Sequence, residues 1–324
     1  MESFLLKPSG KDYIWGGTRL KTEFGKDFLQ EDPLAESWEC SVHPDGPSYV
    51  ASGQEEGKPL VELLSEHPEY LGTTPSVSAS GTLPILVKLI DVKDDLSVQV
   101  HPDDDYANRM ENGQAGKTEL WYVMDAEPGA QIVFGLNQST TREELRHSLE
   151  NGTVDRFLNH IPVQSGDVFF ITAGTIHAIG KGVLVAEIQQ SSNLTYRLYD
   201  YGRLGKDGKP RTLHIEKALD VVKLFGSHPL SQPKRVLRRT TGFVHELLCS
   251  SPYFQVDRCM LKAENITLEP LNESFRVLLC LSGSGTLSEG GEQLQFHKGQ
   301  TVFIPATAKE LLLSGEASFL LVRG

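Results

Sequence analysis

The sequence predicts a mainly β protein with a few helical insertions, and two observations support that prediction. Short segments with alternating or β-branched apolar residues recur between Gly, Pro and Asn turns. A glycine turn followed by an apolar strand occurs at 165–171 and again at 298–304, which indicates two similar units. Many short strands with few helices are typical of barrels and sandwiches. We therefore expect one kind of β domain to occur twice.

The elements follow from local pattern. Strands are predicted at 84–90, 119–124, 131–134, 167–172, 182–189, 276–281 and 317–322. One helix is predicted to begin at 59–64, and three others to span 103–111, 141–149 and 214–222. The helix at 141–149 has the clearest start, because Thr140 or Thr141 can cap it and acidic residues occupy its first turn.

Composition bounds the class of protein. With 324 residues, 39% hydrophobic and 23% charged, the chain is long enough for two globular domains and has no membrane-length apolar run. No secretory signal is recognisable, so we expect a cytoplasmic protein. The net charge of −12 argues against nucleic acid and anionic membranes as partners. Four widely spaced cysteines form neither a zinc knuckle nor a disulfide framework.

A domain boundary is predicted between 226 and 239, in a polar, turn-prone stretch containing Pro229, Gln232, Pro233, Lys234 and Arg235. This gives a catalytic unit at 1–226, with helical insertions, and a second β unit at 227–324. The second unit offers no set of metal ligands, and His297 is expected to be exposed. We interpret it as structural.

A candidate metal shell consists of Gln99, His101, Glu119 and His177. In an extended strand Gln99 and His101 point to the same face, so both can address one ion. Two imidazoles, one carboxylate and one amide oxygen suit Zn²⁺, one ion per chain. Because the amide is neutral, the ion keeps net positive charge and can polarise a bound hydroxyl or carbonyl.

Several segments resemble known proteins. Residues 166–177 combine a glycine turn, a strand, a second glycine turn and His177. They resemble the second motif of cupin barrels, with Thr172 where Pro is usual. Residues 99–102 and 116–122 resemble the Gln-x-His-Pro and Lys-x-Glu motifs of the type I mannose-6-phosphate isomerases. Residues 13–17, 36–44, 84–88 and 187–197 are similar to further segments of the compact bacterial form of that family.

The resemblance implies a fold and an activity. The fold is two cupin-like (jelly-roll) β-barrel domains, the first of which binds zinc. The activity is reversible aldose-ketose isomerisation of D-mannose 6-phosphate and D-fructose 6-phosphate through an enediol intermediate, with a small sugar phosphate as the partner. A redox-metal cupin oxygenase using iron or manganese, or a non-catalytic sugar-phosphate-binding cupin, remains an alternative.

The resemblance also implies roles for individual side chains. Lys117 matches a lysine of the family's site, where it can steady an enediolate or exchange protons, and Glu187 is the matching candidate for acid/base work; the alternative for each is an exposed strand residue. Arg197 matches an arginine opposite the zinc. The loop after Arg197 departs from the usual Arg-Ala-Gly of the family. Lys88 is a candidate for phosphate binding or a salt-bridged strand lysine, and Trp15 is a candidate wall of the sugar pocket or a core residue.

Overall fold

In the computed structural model the described residues are 2–226, 231–262 and 264–324, and their elements are numbered in chain order. The strands are β1 Phe4–Lys7, β2 Ser9–Lys11, β3 Glu36–Cys40, β4 Tyr49–Val50, β5 Ile85–Asp91, β6 Val98–Val100, β7 Glu119–Ala126, β8 Gln131–Leu136, β9 Leu158–Pro162, β10 Val168–Ile171, β11 His177–Ile179, β12 Val183–Gln190, β13 Tyr196–Tyr199, β14 Arg235–Arg239, β15 Phe243–Ser250, β16 Gln255–Lys262, β17 Ile266–Leu268, β18 Arg276–Glu289, β19 Glu292–His297, β20 Thr301–Ile304 and β21 Leu311–Arg323.

The helices are short and lie between strands. They are α1 Arg19–Phe24, α2 Leu60–Glu66, α3 Pro75–Ser80, α4 Asp104–Met110, α5 Arg142–Glu150 and α6 Ile215–Val221. The four predicted helices are confirmed as α2, α4, α5 and α6, while α1 and α3 were not predicted. At α5, Thr141 accepts a hydrogen bond from the Glu144 N–H and the Glu144 carboxylate accepts from the Thr141 N–H. This capping box confirms the predicted helix start.

The described strands form three sheets. The six-stranded sheet has the order β10-β7-β12-β5-β3-β2, and the five-stranded sheet has the order β13-β6-β11-β8-β9. The ten-stranded sheet follows β14-β15-β16-β21-β18-β20-β1-β4, with β17 beside β21 and β19 beside β18. The mainly β fold is confirmed, and these sheets are consistent with jelly rolls. Strands β18 and β21 are much longer than the predicted segments.

The six-stranded sheet is buried on both faces, and one face carries the polar residues of interest. On β5, Val87 and Leu89 pack into a core shared with the ten-stranded sheet. Ile90 points to the opposite face, into a core shared with the five-stranded sheet. Lys88 lies on that same face. The alternation of side chains along β5 therefore places the buried Lys88 side chain in the space between the six- and five-stranded sheets.

The two halves of the chain share the ten-stranded sheet. Strand β1 pairs antiparallel with β20, with Phe4 opposite Phe303, and β4 extends the same edge. The boundary at 226 and 227 stays a prediction, and residues 227–230, including Pro229, lie outside the described residues. The prediction of a turn-prone stretch was wrong at Arg235–Arg239, which is strand β14. All five residues of β14 are exposed at the edge of the sheet. The polar character of this segment therefore reflects its contact with solvent and not a turn.

His297 is exposed, as predicted. No helix in the described part of the chain is long and apolar enough to cross a membrane.

Candidate metal centre and active site

Strands β6, β7 and β11 bring the predicted metal ligands together. Gln99 lies on β6, and His101 follows that strand directly. Glu119 begins β7 and His177 begins β11, where it pairs with Gln99 in antiparallel register. The ligands therefore come from both sheets that enclose the polar space.

The ligand atoms converge on one point. His101 Nε2 lies 3.0 Å from His177 Nε2, and Glu119 lies 3.5 Å and 3.3 Å from these two nitrogens. The Gln99 amide nitrogen lies 3.4 Å from His177 Nε2. A half-turn of that amide would instead direct its oxygen to the centre. His101, Glu119 and His177 are all buried.

The donor set suits a divalent cation. Both oxygens of Glu119 are buried without a hydrogen-bond partner. The Nδ1–H of His177 donates to the Thr175 carbonyl at 2.8 Å, which leaves the Nε2 lone pair facing the centre. A buried, unsatisfied carboxylate beside two inward imidazole nitrogens is costly unless an ion binds there.

The local electrostatics produce the protonation states that a metal requires. Burial, helped by the Lys117 ammonium, lowers the pKa of His101 to about 3, and burial also lowers that of His177. Burial alone would raise the pKa of Glu119, but the adjacent Lys117 ammonium holds it well below its ordinary value. Neutral imidazoles and an ionised carboxylate are the forms that bind metal.

A glycine turn positions His177. Gly174 has φ +82°, and the Thr175 N–H donates to the Thr172 carbonyl at 3.1 Å. The Gly174 N–H donates to the His101 carbonyl at 2.9 Å, which ties the turn to the other histidine. Thr172 stands where Pro is usual in cupins, and the turn forms nevertheless.

Lys117 is held in place by its backbone neighbours. Its N–H donates to the Pro102 carbonyl at 3.0 Å, and the adjacent Thr118 N–H donates to the Gln190 side chain at 2.8 Å. The ammonium lies 2.8 Å from Glu119 as an ion pair without hydrogen-bond geometry, and 3.7 Å from Glu187.

A row of alternating charges continues from Lys117 across the six-stranded sheet. Glu187 Oε1 lies 3.1 Å from the Lys88 ammonium, which lies 3.6 Å from Glu36. The indole N–H of Trp121 donates to Glu187 at 2.9 Å, and that of Trp38 donates to Glu36 at 2.7 Å. Burial alone would lower the pKa of Lys88, but the two carboxylates raise it above its ordinary value. Lys88 therefore stays a cation.

Arginines from the five-stranded side face this row. Arg197 lies on β13 opposite Gln99, with Nε donating to Ser97 Oγ at 3.2 Å and Nη1 to the Thr212 carbonyl at 2.8 Å. Arg211 binds the buried Asp200 carboxylate through two nitrogens, at 2.7 Å and 2.5 Å.

One cavity of about 280 Å³ is lined by Gln99, by the charged row from Lys117 to Glu36 and by the two arginines. The predicted residues that line it are Trp15, Lys88, Gln99, Lys117, Glu187 and Arg197. Trp15 is nearly buried and stacks on Tyr13, with ring centroids 5.4 Å apart. Larger cavities of about 710 and 860 Å³ lie elsewhere on the described residues and contain no cluster of metal-ligand type.

Sequence reasoning did not single out several further residues of this cavity, among them Tyr13, Glu36, Ser97 and Arg211. Tyr13 and Glu36 lie inside segments that carried the family resemblance, and Ser97 lies two positions before Gln99, on the same strand face. Those signals could have found them. Arg211 has no comparable signal, because it reaches the cavity through the loop after β13.

Comparisons with known proteins agree with these motifs. The family model described as "Phosphomannose isomerase type I, catalytic domain" matches residues 4–129, and "Mannose-6-phosphate isomerase, cupin domain" matches residues 245–323. A mannose-6-phosphate isomerase of Streptococcus mutans is 39% identical over 98% of this chain and 97% of its own. This chain belongs to the type I mannose-6-phosphate isomerase family.

Solved structures of the family support the same conclusion. The crystal structure of mannose 6-phosphate isomerase from Bacillus subtilis matches with a TM-score of 0.90 and 34% identity, covering 99% of each chain. A phosphomannose isomerase variant from Salmonella typhimurium matches with a TM-score of 0.81 at 17% identity, which shows the shared fold alone. The predicted family resemblance is confirmed, while the roles of individual site residues stay predictions.

Proposed function

We propose that the chain catalyses the reversible isomerisation of D-mannose 6-phosphate and D-fructose 6-phosphate with one zinc ion and an enediol intermediate. The observation that carries this proposal is a buried metal-ligand cluster that contacts Gln99 and Lys117, two residues lining a cavity that also holds the Glu187 carboxylate and further cations. The matched relatives bear the name of the same activity.

Zinc fits the donor set of Gln99, His101, Glu119 and His177. When bound, it supplies a Lewis acid that stabilises negative charge on a substrate oxygen. The buried carboxylate oxygens of Glu119 support a cation at this point. The described residues contain one such cluster, which supports one ion per chain.

Proton transfer is assigned to Glu187 or Lys117. Removal of the C2 proton of open-chain mannose 6-phosphate leaves its electron pair in a C1–C2 double bond, and the carbonyl oxygen at C1 gains a proton. The resulting enediol takes a proton at C1 and loses the O2 proton, giving the ketone at C2. Trp121 holds one Glu187 oxygen, and the other faces the cavity cations. Lys88 is assigned to charge stabilisation rather than proton transfer, because its carboxylate neighbours raise its pKa.

The protein is acidic overall, so cationic side chains along the cavity are needed to bind the negatively charged substrate. Lys88 and Lys117 are buried, whereas Arg197 and Arg211 are half-exposed along the same cavity. We assign the lysines to the reacting end and the arginines to the substrate oxygens that remain nearer solvent. Arginine forks suit both an enediolate and a phosphate.

A coupled assay tests the activity. Purified protein should convert mannose 6-phosphate to fructose 6-phosphate, lose this activity on chelation and regain it on adding zinc. Turnover that persists after complete metal removal would contradict the metal role, and absence of turnover in the zinc-loaded protein would contradict the activity.

Deuterated water tests the enediol. A proton held by Glu187 or Lys117 can exchange with solvent, so label should enter C1 of fructose 6-phosphate or C2 of mannose 6-phosphate. Internal return makes the labelled fraction small in one turnover, so many reversible turnovers are needed. A complete absence of label after these would contradict the route.

A further inference from the structure

His214 and Arg197 are joined by two hydrogen bonds, although they are 17 positions apart. The Arg197 backbone N–H donates to His214 Nδ1 at 3.2 Å. The His214 backbone N–H donates back to the Arg197 carbonyl at 2.8 Å. The pair links strand β13 to the first residue before helix α6. The first bond requires an unprotonated Nδ1, so His214 carries its proton on Nε2.

The half-exposed Arg197 side chain is anchored by neutral groups. Among the described residues no carboxylate forms an ion pair with its guanidinium, which bonds instead to the Ser97 hydroxyl and the Thr212 carbonyl. Strand β13 also changes register against β6 between Arg197 and Tyr199, so the ladder is irregular there. The bond to His214 lies at this irregular point and fixes the Arg197 backbone.

We propose that His214 is a positioning residue that holds Arg197 for isomerisation through its neutral Nδ1, and that protonation of the imidazole releases Arg197. This inference rests on the proposed function, because it assigns Arg197 to the substrate. Protonation converts Nδ1 from an acceptor into a donor, which then faces the donating Arg197 N–H. The bond cannot survive that change.

The groups around His214 keep it neutral near pH 7. Burial lowers its pKa, Arg197 and Lys217 lower it further, and Glu111 opposes them in part. Glu111 is itself held by the Tyr196 hydroxyl and the Lys217 ammonium, each at 2.6 Å. The pKa of His214 lies below the ordinary histidine value. We therefore expect its protonation, and the resulting loss of activity, at a pH below that value.

Three substitutions separate the bond from general packing. In His214→Asn the side-chain oxygen occupies the same position along the side chain as Nδ1 and can accept the Arg197 N–H. In His214→Gln the amide lies one bond further out, and in His214→Ala there is no acceptor. His160→Ala is the control, since this half-exposed histidine pairs with Asp155 and lies outside the cavity of the site.

Kinetics and metal content provide the test. His214→Gln and His214→Ala should keep zinc and lower kcat by about tenfold to a hundredfold, the scale of a small misplacement of a catalytic group. His214→Asn should recover at least about ten times the kcat of His214→Gln. It should also lose any acidic inflection of the pH profile that belongs to His214. Wild-type kcat in His214→Gln, or equal damage in the Asn and Gln variants, overturns the inference.

A spectroscopic readout separates this inference from the proposed function. Imidazole ¹⁵N shifts of His214, assigned by comparison with His214→Asn, should show the tautomer protonated on Nε2 near pH 7. The other tautomer overturns the hydrogen bond and with it the inference. If wild-type protein fails to turn over mannose 6-phosphate, or Arg197→Ala is fully active, the proposed function fails even where the tautomer is as expected.

Discussion

Each buried charge of the site has an opposite charge within 4 Å, and this pairing decides what the side chains can do. Lys117 lies between Glu119 and Glu187, and Lys88 lies between Glu187 and Glu36. Burying an unpaired charge is far costlier than burying a paired one. The row is therefore stable as a whole, and each substitution in it also affects the neighbouring charge.

The first prediction concerns the metal ligands. Purified protein should hold about one zinc ion per chain, and His101→Ala or His177→Ala should lose most of it, because removing an imidazole opens the shell. Elemental analysis of both variants measures this. His67→Ala is a suitable control, since that histidine is exposed and pairs with Glu69. Wild-type zinc content in either ligand variant would remove that residue from the shell.

The second prediction separates metal binding from chemistry. Arg197→Ala and Lys117→Ala should keep zinc but lower kcat/KM by at least roughly a hundredfold, the scale expected on removing one preorganised charge at a developing oxyanion. Arg239→Ala, an exposed arginine of β14, is the control and should behave as wild type. Near-normal kinetics in both site variants would mean that other cations serve the reaction.

At the scale of elements, the turn before β11 determines where His177 points. Gly174 is left-handed, and a Cβ at this position would lie 2.7 Å from the Val221 carbonyl oxygen. A residue larger than glycine must therefore distort the turn or displace the C-terminal end of α6.

The third prediction follows from that turn. Gly174→Ala should lower both the melting temperature and the zinc affinity, because the displaced turn carries His177 with it. Gly152→Ala is a matched control, since Gly152 has φ +66° but its Cβ would meet nothing within 4 Å. The control should show the backbone penalty without the loss of zinc affinity. Equal zinc affinity in the two variants would contradict the role of the turn.

Local sequence signals predicted the elements that depend on local interactions. Helix α5 was found because its Thr141 cap and its acidic first turn are adjacent in sequence. Strand β5 was found because it is buried on both faces and is apolar throughout apart from Lys88 and Asp91. Strand β14 was missed, because an exposed edge strand carries a polar sequence like that of a loop.

The residues of the site also divide into those that local sequence predicted and those that it did not. The metal ligands lie in short motifs with a strand period, so their convergence could be inferred. Arg211 and His214 enter through contacts between β13, its following loop and α6, which no sequence spacing encodes. Their contribution became visible only when the tertiary structure brought that loop against Arg197.

For the whole molecule, a buried ion pair of the first half is hydrogen-bonded to residues of the second half. The Lys26 ammonium lies 2.8 Å from the Glu39 carboxylate and donates to the Gly299 carbonyl at 2.5 Å. Glu39 also accepts hydrogen bonds from Ser37 at 2.6 Å and Thr301 at 3.0 Å. Gly299 and Thr301 belong to the second half, where Thr301 begins β20, the strand that pairs with β1. The network therefore reinforces the shared sheet.

The fourth prediction concerns this network. Lys26→Met should lower the free energy of unfolding by about 3–5 kcal/mol, because it leaves Glu39 as an uncompensated buried charge. Urea denaturation of the zinc-loaded protein measures the loss. Lys58→Met is the matched control, since Lys58 pairs with Glu55 and Glu66 at the surface, where solvent screens the ions, and should cause a much smaller change. Because β1 still pairs with β20 across the two halves, the fluorescence and circular dichroism transitions should still coincide in Lys26→Met. An equal decrease in the free energy of unfolding in the two variants would contradict the proposed contribution of the network. Two separated transitions would show that the halves unfold independently.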